Sequence, residues 1–188
     1  MLIANSISPK RAAFGRALLM SLQSKIKQKK KAILERCFNL IADTYPTETS
    51  QLLKGKKDRF LNPVGYTIQN GMETIFDELT GDTNSNRLYT ALESIIKIRA
   101  VQDFSPSEAI GFVFLLKKAV RETAESVEHG AWGGEYNTKK EKSMIVNEFI
   151  EFEQKIDQIA LTAFDIYTKC REKIHEIKIK EVKDIYGK

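Results

Sequence analysis

The stretch IRAVQDFSPSEAIGFVFLLK, Ile98 to Lys117, contains the joint between two predicted helices. Ser105 precedes Pro106, and Glu108 stands three residues after the serine, which is the pattern of a capping box at a helix N-terminus. The run that follows, AIGFVFLL, is apolar on every side, and a helix of that kind is normally buried all round. The stretch therefore predicts a helix at the centre of the domain, with Gly111 allowing a neighbouring helix to approach closely.

The helical period recurs along most of the remaining chain. Apolar residues at spacings of three, four and seven predict one helix over about 21–43 and another over about 88–102. Asn62 is suited to cap a further helix over about 63–79, because Pro63 costs nothing in a first helical turn. No sustained alternation of β-branched and aromatic residues indicates a strand. The sequence predicts an all-α fold, a single domain of about six helices that is globin-like or a helical bundle, over 21–188.

The longest predicted helix lies at the C-terminal end, over 143–183. Its apolar residues alternate at spacings of four and three, which is a heptad-like seam. About 40 residues at roughly 1.5 Å each span about 60 Å, which exceeds a compact domain of this size. We therefore expect the distal part to project or to pack against a second copy. The seam predicted for a homodimer comprises Phe149, Phe152, Ile156, Ile159 and Ile166.

Positive charge is concentrated near the N-terminus. The net charge is +5, and residues 1–36 contain nine basic side chains and one acidic one. The run Lys25 to Lys31 contains no aromatic residue that could stack on a base, so a solvated helix face is favoured over an acidic partner or a membrane surface. We predict no nucleic-acid partner and, since no run reaches about 18 apolar residues, no membrane insertion. Residues 1–20 are interpreted as a disordered or wrongly assigned N-terminal extension.

The sequence lacks the common motifs of catalysis and of cofactor binding. It contains no phosphate loop, GxGxxG, HExxH, CxxC or GxSxG. The two histidines, His129 and His175, lack the apolar flanks of a haem ligand. Cys37 and Cys170 are interpreted as small buried thiols, which fits a reducing, cytoplasmic compartment. The sequence predicts a protein that is not an enzyme and binds no metal or cofactor.

Five polar residues are candidates for binding a small ligand. Arg99 and Asp103 lie four positions apart on one helix and can pair, which would fix the register of two helices. Alternatively, Arg99 could bind a carboxylate or a phosphate, with Gln102, Tyr66 and Arg59 completing the set. The structural interpretation is favoured. The alternative is a small-ligand or cofactor carrier with a pocket near Arg99 and Asp103.

Four stretches of the chain resemble a known family. KKKAILERCFNLIADTYP, KKDRFLNPVGYTI, IKIRAVQDFSPSEAIGFVFLLKK and ALTAFDIYTKCREKI resemble the RsbRD N-terminal domain family, the helical input domain of RsbT co-antagonist proteins. The resemblance implies a dimeric, globin-like domain without haem. It also implies a bacterial sensory or regulatory role that works through protein contacts with a regulatory partner not yet identified. It transfers no catalytic residue.

In stressosome proteins of the co-antagonist type, such a domain precedes a STAS domain that carries phosphorylated threonines. This sequence ends after the long helix. We therefore expect a stand-alone member without a STAS domain. It is similar in this respect to members from sulfur- and sulfate-reducing bacteria, which suggests a link to sulfur metabolism.

Overall fold

The computed structural model describes residues 22–55, 58–81, 84–102, 104–125 and 139–186, and its regular structure in these ranges is entirely helical. In the described ranges seven helices follow one another: α1 Leu22–Gln28, α2 Lys30–Ala42, α3 Thr47–Gly55, α4 Pro63–Thr80, α5 Ser85–Val101, α6 Pro106–Glu125 and α7 Lys139–Tyr186. The prediction of an all-α fold is confirmed. The predicted extension over 1–20 lies outside the described residues, as do Asp103 and His129.

The predicted helix over 21–43 is divided into α1 and α2 at Lys29. The backbone N–H of Lys29 donates to the carbonyl of Ile26 at 3.1 Å, three residues back, which tightens the chain into a turn. This division accounts for one helix more than the sequence suggested. None of the described helices has the length and apolar content needed to cross a membrane.

The start of α4 is fixed by Asn62, which is buried. Its side-chain oxygen accepts a hydrogen bond from the N–H of Gly65 at 2.8 Å, and its amide donates to the carbonyl of Leu53 at 2.9 Å. Pro63 occupies the first helical position, where no N–H is required. One side chain therefore caps α4 and ties it to the end of α3.

The helices α4 and α5 approach each other closely at Gly71. A Cβ added there would lie 2.6 Å from Cδ1 of Ile95 and 3.3 Å from the carbonyl oxygen of Ala91. The sequence-based assignment of a close approach to Gly111 is wrong, because a Cβ added at Gly111 would meet nothing within 4 Å. The space around α6 is open at that point, so the glycine that packing requires is on α4.

The helix α6 is buried on one side only. Ala109, Phe112, Val113 and Leu116 are buried, mainly against α2 and α7, whereas Phe114 is 42% exposed. The expectation that AIGFVFLL is buried all round is therefore wrong. Its neighbours cover one face of the helix, and the opposite face contacts solvent.

The long C-terminal helix is confirmed, with 48 residues that span about 72 Å at roughly 1.5 Å each. Four of the five residues predicted as a dimer seam, Phe152, Ile156, Ile159 and Ile166, are buried within this chain, and Phe149 is half-buried. They pack in the core that α7 forms with α5 and α6. The heptad-like spacing thus reflects packing inside one chain, and a second copy would have to use a different face.

Beyond the core, α7 continues into solvent. The Nη1 of Arg171 donates to the carbonyl of Ala100 at 3.0 Å, close to the end of α5. Of residues 171–186, Ile174 is half-buried and the others are exposed. The last four turns of α7 therefore project from the domain, on the side where α5 ends.

Candidate functional site

The candidate site is the corner where the end of α2, the end of α5 and the start of α6 meet around Arg99. The side chain of Arg99 is fully buried. Its guanidinium carbon lies 4.1 Å from the ring centroid of Phe104 and 5.2 Å from that of Tyr45, within the range of cation–π attraction. The two rings contact each other edge to face, with centroids 5.1 Å apart. Arg99 is thus held between aromatic side chains.

Within the described residues, the hydrogen bonds of Arg99 go to neutral acceptors. Its Nη2 donates to the carbonyl of Glu108 at 3.0 Å and to Oγ1 of Thr44 at 3.2 Å, and its Nη1 reaches the hydroxyl of Tyr45 at 3.5 Å. Nε has no hydrogen-bond partner among the described residues. Burying a cation is costly unless its donors are hydrogen-bonded, so this side chain strongly constrains its surroundings.

Burial lowers the pKa of Arg99, and the nearby Tyr45 and Glu108 raise it in part. Burial also raises the pKa of the Tyr45 hydroxyl above its ordinary value. Both pKa shifts are in the direction of the neutral side chain, because burial disfavours the charged form. Asp103 lies outside the described residues, so the predicted Arg99–Asp103 pair stays a prediction.

The other sequence-based candidates divide between this corner and a second location. Gln102 is exposed, and its Oε1 accepts a hydrogen bond from the hydroxyl of Tyr45 at 3.2 Å. Tyr66 instead lines an open cavity of about 520 Å³ between α4 and α5, and neither Arg99 nor Gln102 belongs to that lining. The exposed guanidinium of Arg59 lies 5.7 Å from the ring centroid of Tyr66. The assignment of all five residues to one ligand site stays a prediction.

The capping residues at the start of α6 form one wall of the corner. The N–H of Ser105 donates to Oε2 of Glu108 at 2.9 Å, and the N–H of Glu108 reaches Oγ of Ser105 at 3.4 Å. The hydrogen bonds from Ser105 lower the pKa of Glu108. Pro106 occupies the first position of the helix. This capping box presents the Glu108 carbonyl to Arg99, so helix capping and burial of the cation depend on the same turn.

The corner is also joined to α7. The hydroxyl of Tyr167 donates to the carbonyl of Phe104 at 2.8 Å, and Arg171 bonds to Ala100 as described above. The turn between α5 and α6 is therefore fixed by Arg99 from inside and by α7 from outside. The projecting part of α7, residues 171–186, begins at this attachment.

Sequence reasoning missed Thr44, Tyr45 and Phe104 as the partners of Arg99. The available signal was the break TYPT after α2, which had to meet another part of the fold. Within the described residues, no three His, Cys, Asp or Glu side chains are grouped so as to hold a metal ion. Cys37 is a buried free thiol and Cys170 a half-buried one.

Comparison with known proteins identifies a family. The family model described as the RsbT co-antagonist protein rsbRD N-terminal domain matches residues 31–181, which run from α2 through most of α7. No curated protein and no solved structure matches the chain. The matched segment contains the Arg99 corner, the capping box and the core part of the long helix, and it covers well over half of the 188 residues. The chain belongs to the RsbT co-antagonist rsbRD N-terminal domain family.

Proposed function

We propose that this chain is a non-enzymatic regulatory domain of the cytoplasm, which acts through protein contacts and functions as a homodimer. Membership of the rsbRD N-terminal domain family supports a regulatory signalling role of the stressosome type. The homodimer is supported by an exposed apolar face on α6 and α7. This face is distinct from the seam that the sequence suggested, because that seam is buried in the core.

Two ion pairs fix the register of α6 and α7. Nζ of Lys117 lies 2.6 Å from Oδ1 of Asp157, and Nη2 of Arg121 lies 2.5 Å from Oε1 of Glu153. A step of four residues forward on α6 corresponds to a step of four residues back on α7. The two helices are therefore antiparallel, and their exposed sides form one continuous surface.

Four apolar side chains on this surface form what we call the outer face: Ile110, Phe114, Leu161 and Phe164. Ile110 is half-buried, and Phe114, Leu161 and Phe164 are 42%, 62% and 47% exposed. The antiparallel register places the two α6 residues opposite the segment of α7 that carries the other two. A contiguous apolar patch bordered by charged pairs is typical of a protein interaction site. This patch is the observation that carries the proposal.

A twofold contact through the outer face would bring two copies of α7 together. An isologous interface uses the same patch on both subunits, so each copy covers the other's Leu161 and Phe164. Residues 171–186 carry exposed Ile177, Val182 and Ile185 beyond this face. A dimer of this kind holds two projecting helices, and a change at the Arg99 corner reaches them through Tyr167 and Arg171.

The proposal is tested by oxidative cross-linking of exposed cysteines introduced one at a time, with Cys37 retained because it is buried. In a Cys170→Ser background, Leu161→Cys and Phe164→Cys are oxidised separately and the covalent dimer is quantified on a non-reducing gel. We expect a covalent dimer at one or both positions, and none for the control Tyr89→Cys, an exposed position on α5. Absence of a covalent dimer at both positions contradicts the proposal.

A ligand carrier is the alternative function, and the Nε of Arg99, without a hydrogen-bond partner among the described residues, favours it. A carboxylate or phosphate could bind there only after the turn between α5 and α6 opens, because Arg99 is fully buried. Native mass spectrometry of protein purified from its own host measures this directly. A bound small anion that is lost in Arg99→Gln supports the carrier, and the bare protein mass excludes it.

A further inference from the structure

A further cavity, separate from the Arg99 corner, is lined by α2, α3 and α4. Its volume is about 280 Å³. Its apolar lining comprises Leu34 and Phe38 of α2 and Met72 of α4, of which Phe38 and Met72 are buried and Leu34 is half-buried. Pockets for drug-sized ligands measure roughly 300–1,000 Å³, so this cavity suits a smaller molecule that has an apolar part.

Two of the four charged side chains that line the cavity are already paired within the chain. Lys54 of α3 forms an ion pair with Asp43, and Oε1 of Glu73 lies 2.9 Å from Nζ of Lys30. The first pair holds α3 against the end of α2, and the second holds α4 against the start of α2. The cavity is therefore bordered by helices whose positions are fixed by these contacts.

The other two charged side chains, Lys31 and Glu35, have no such partner. They are exposed and lie four positions apart, hence on the same face of α2. A lysine that precedes a glutamate at this spacing is the less favourable order for an ion pair. Within the described residues, neither side chain has an ion-pair or hydrogen-bond partner. The border of the cavity thus presents one cation and one anion on successive turns, with Cβ atoms roughly 5–6 Å apart.

Two half-buried amide side chains add hydrogen-bonding capacity. Asn39 lies one further turn along α2 from Glu35, and Gln69 lies on α4. Neither amide side chain has a hydrogen-bond partner in the part of the chain that the structure describes. Each amide can both donate and accept. The polar groups of the cavity therefore match a ligand that carries a positive and a negative group close together.

We propose that this cavity binds a free α-amino acid with an apolar side chain. Its ammonium group pairs with Glu35, and its carboxylate pairs with Lys31. Its side chain contacts Leu34, Phe38 and Met72. Both charged groups of an α-amino acid are attached to one carbon, so a cation and an anion on successive turns of one helix can contact both. A ligand with a single charge would leave either Lys31 or Glu35 without a partner.

The site does not rest on the homodimer proposed above. It lies on α2, α3 and α4, whereas the outer face lies on α6 and α7. The outcome of the cross-linking experiment and the outcome of a ligand titration are therefore independent, and failure of one proposal is distinguishable from failure of the other.

The test is an NMR titration of the isotope-labelled full chain with L-leucine and L-phenylalanine. We expect at least one of them to shift the backbone amide signals of residues 31–39 and 69–73 along a saturating curve. Each amino acid is compared with two analogues that lack one charged group: isoamylamine and isocaproate for leucine, phenethylamine and hydrocinnamate for phenylalanine. Each analogue should bind about threefold to fivefold more weakly than its amino acid, because one partly exposed ion pair is lost.

Two variants show which side chain contacts which group of the ligand. Glu35→Gln should abolish the preference for the amino acid over its carboxylate analogue, because the partner of the ammonium group is gone. Lys31→Gln should abolish the preference over the amine analogue. The matched controls Glu48→Gln and Lys169→Gln, at exposed positions outside the cavity, should keep both preferences. All four substitutions are at exposed positions, so the variants are expected to fold.

Three results would overturn the proposal. The first is the absence of any signal shift with both amino acids up to about 10 mM, which excludes binding in the millimolar range. The second is a set of shifts confined to residues outside α2, α3 and α4. The third is a preference for the amino acid that persists unchanged in both Glu35→Gln and Lys31→Gln.

Discussion

A paired glycine substitution tests the packing of the fold. Gly71→Ala adds a methyl group between α4 and α5, where a Cβ would lie 2.6 Å from Cδ1 and 2.8 Å from Cγ1 of Ile95. Ile95 is fully buried and cannot move aside freely. Gly111→Ala adds the same group to α6, where nothing lies within 4 Å. The two substitutions therefore share their chemistry and differ in their surroundings.

The expected free energies follow from two opposing terms. Alanine is favoured over glycine in a helix interior by about 1 kcal/mol, and this gain is common to both positions. Overpacking of a core typically costs about 1–3 kcal/mol, and only Gly71→Ala incurs it. Gly111→Ala should therefore raise the free energy of unfolding by about 0.5–1 kcal/mol. Gly71→Ala should be less stable than Gly111→Ala by about 1–3 kcal/mol, because the propensity term cancels in the comparison.

The assay is equilibrium unfolding in urea, followed by circular dichroism. With a slope of about 2 kcal/mol per molar urea, the two variants should differ in midpoint by about 0.5–1.5 M. Equal midpoints would refute the close approach at Gly71. A midpoint for Gly111→Ala below that of wild type would refute the open surroundings of Gly111 and restore the sequence-based assignment.

Three further predictions concern individual side chains. Asn62→Ala should cost about 2–4 kcal/mol in urea unfolding, because it removes a cap and leaves a buried α3 carbonyl without its partner; the exposed cap variant Asn84→Ala should cost about 1 kcal/mol or less. The pKa of Glu108 is lowered in the folded protein, so the ionised side chain stabilises the fold above the ordinary pKa of 4.5, and this stabilisation is lost as the pH falls through the folded pKa. Unfolding at a series of pH values should therefore show that the stability difference between wild type and Glu108→Gln shrinks below pH 4.5. A difference that stays constant with pH would contradict this prediction. Burial raises the pKa of Cys37 to about 12, so in a Cys170→Ser variant a thiol reagent should label Cys37 only after unfolding, and rapid labelling of the native protein would contradict its burial.

The helical fold and its start signals were predictable from local chemistry. Asn62 with Pro63, and Ser105 with Glu108, act within one or two turns of the chain, so their roles depend little on the rest of the fold. The spacing of the apolar residues of α7 was equally clear from the sequence. It could not indicate whether the face it defines, with Ile156 at its centre, packs within one chain or between two, because both arrangements require the same spacing.

The partners of a residue depend on tertiary structure that no local pattern encodes. Arg99 contacts Thr44 and Tyr45, more than fifty positions earlier, and their approach is decided by how α2 packs against α6. Gly71 and Gly111 both lie within helices, and only the position of Ile95 distinguishes them. The exposure of Phe114 could not be predicted for the same reason, since an apolar run does not show which of its faces a neighbour covers.

The homodimer through the outer face can be tested on the unmodified protein by carbene footprinting at increasing concentration. Labelling of Phe114, Leu161 and Phe164 is measured by mass spectrometry, with Tyr89 as the internal reference. If two copies meet through this face, labelling of the three side chains falls as concentration rises while that of Tyr89 stays constant. Labelling of the three residues that remains constant across the range, in step with Tyr89, would contradict a homodimer through this face.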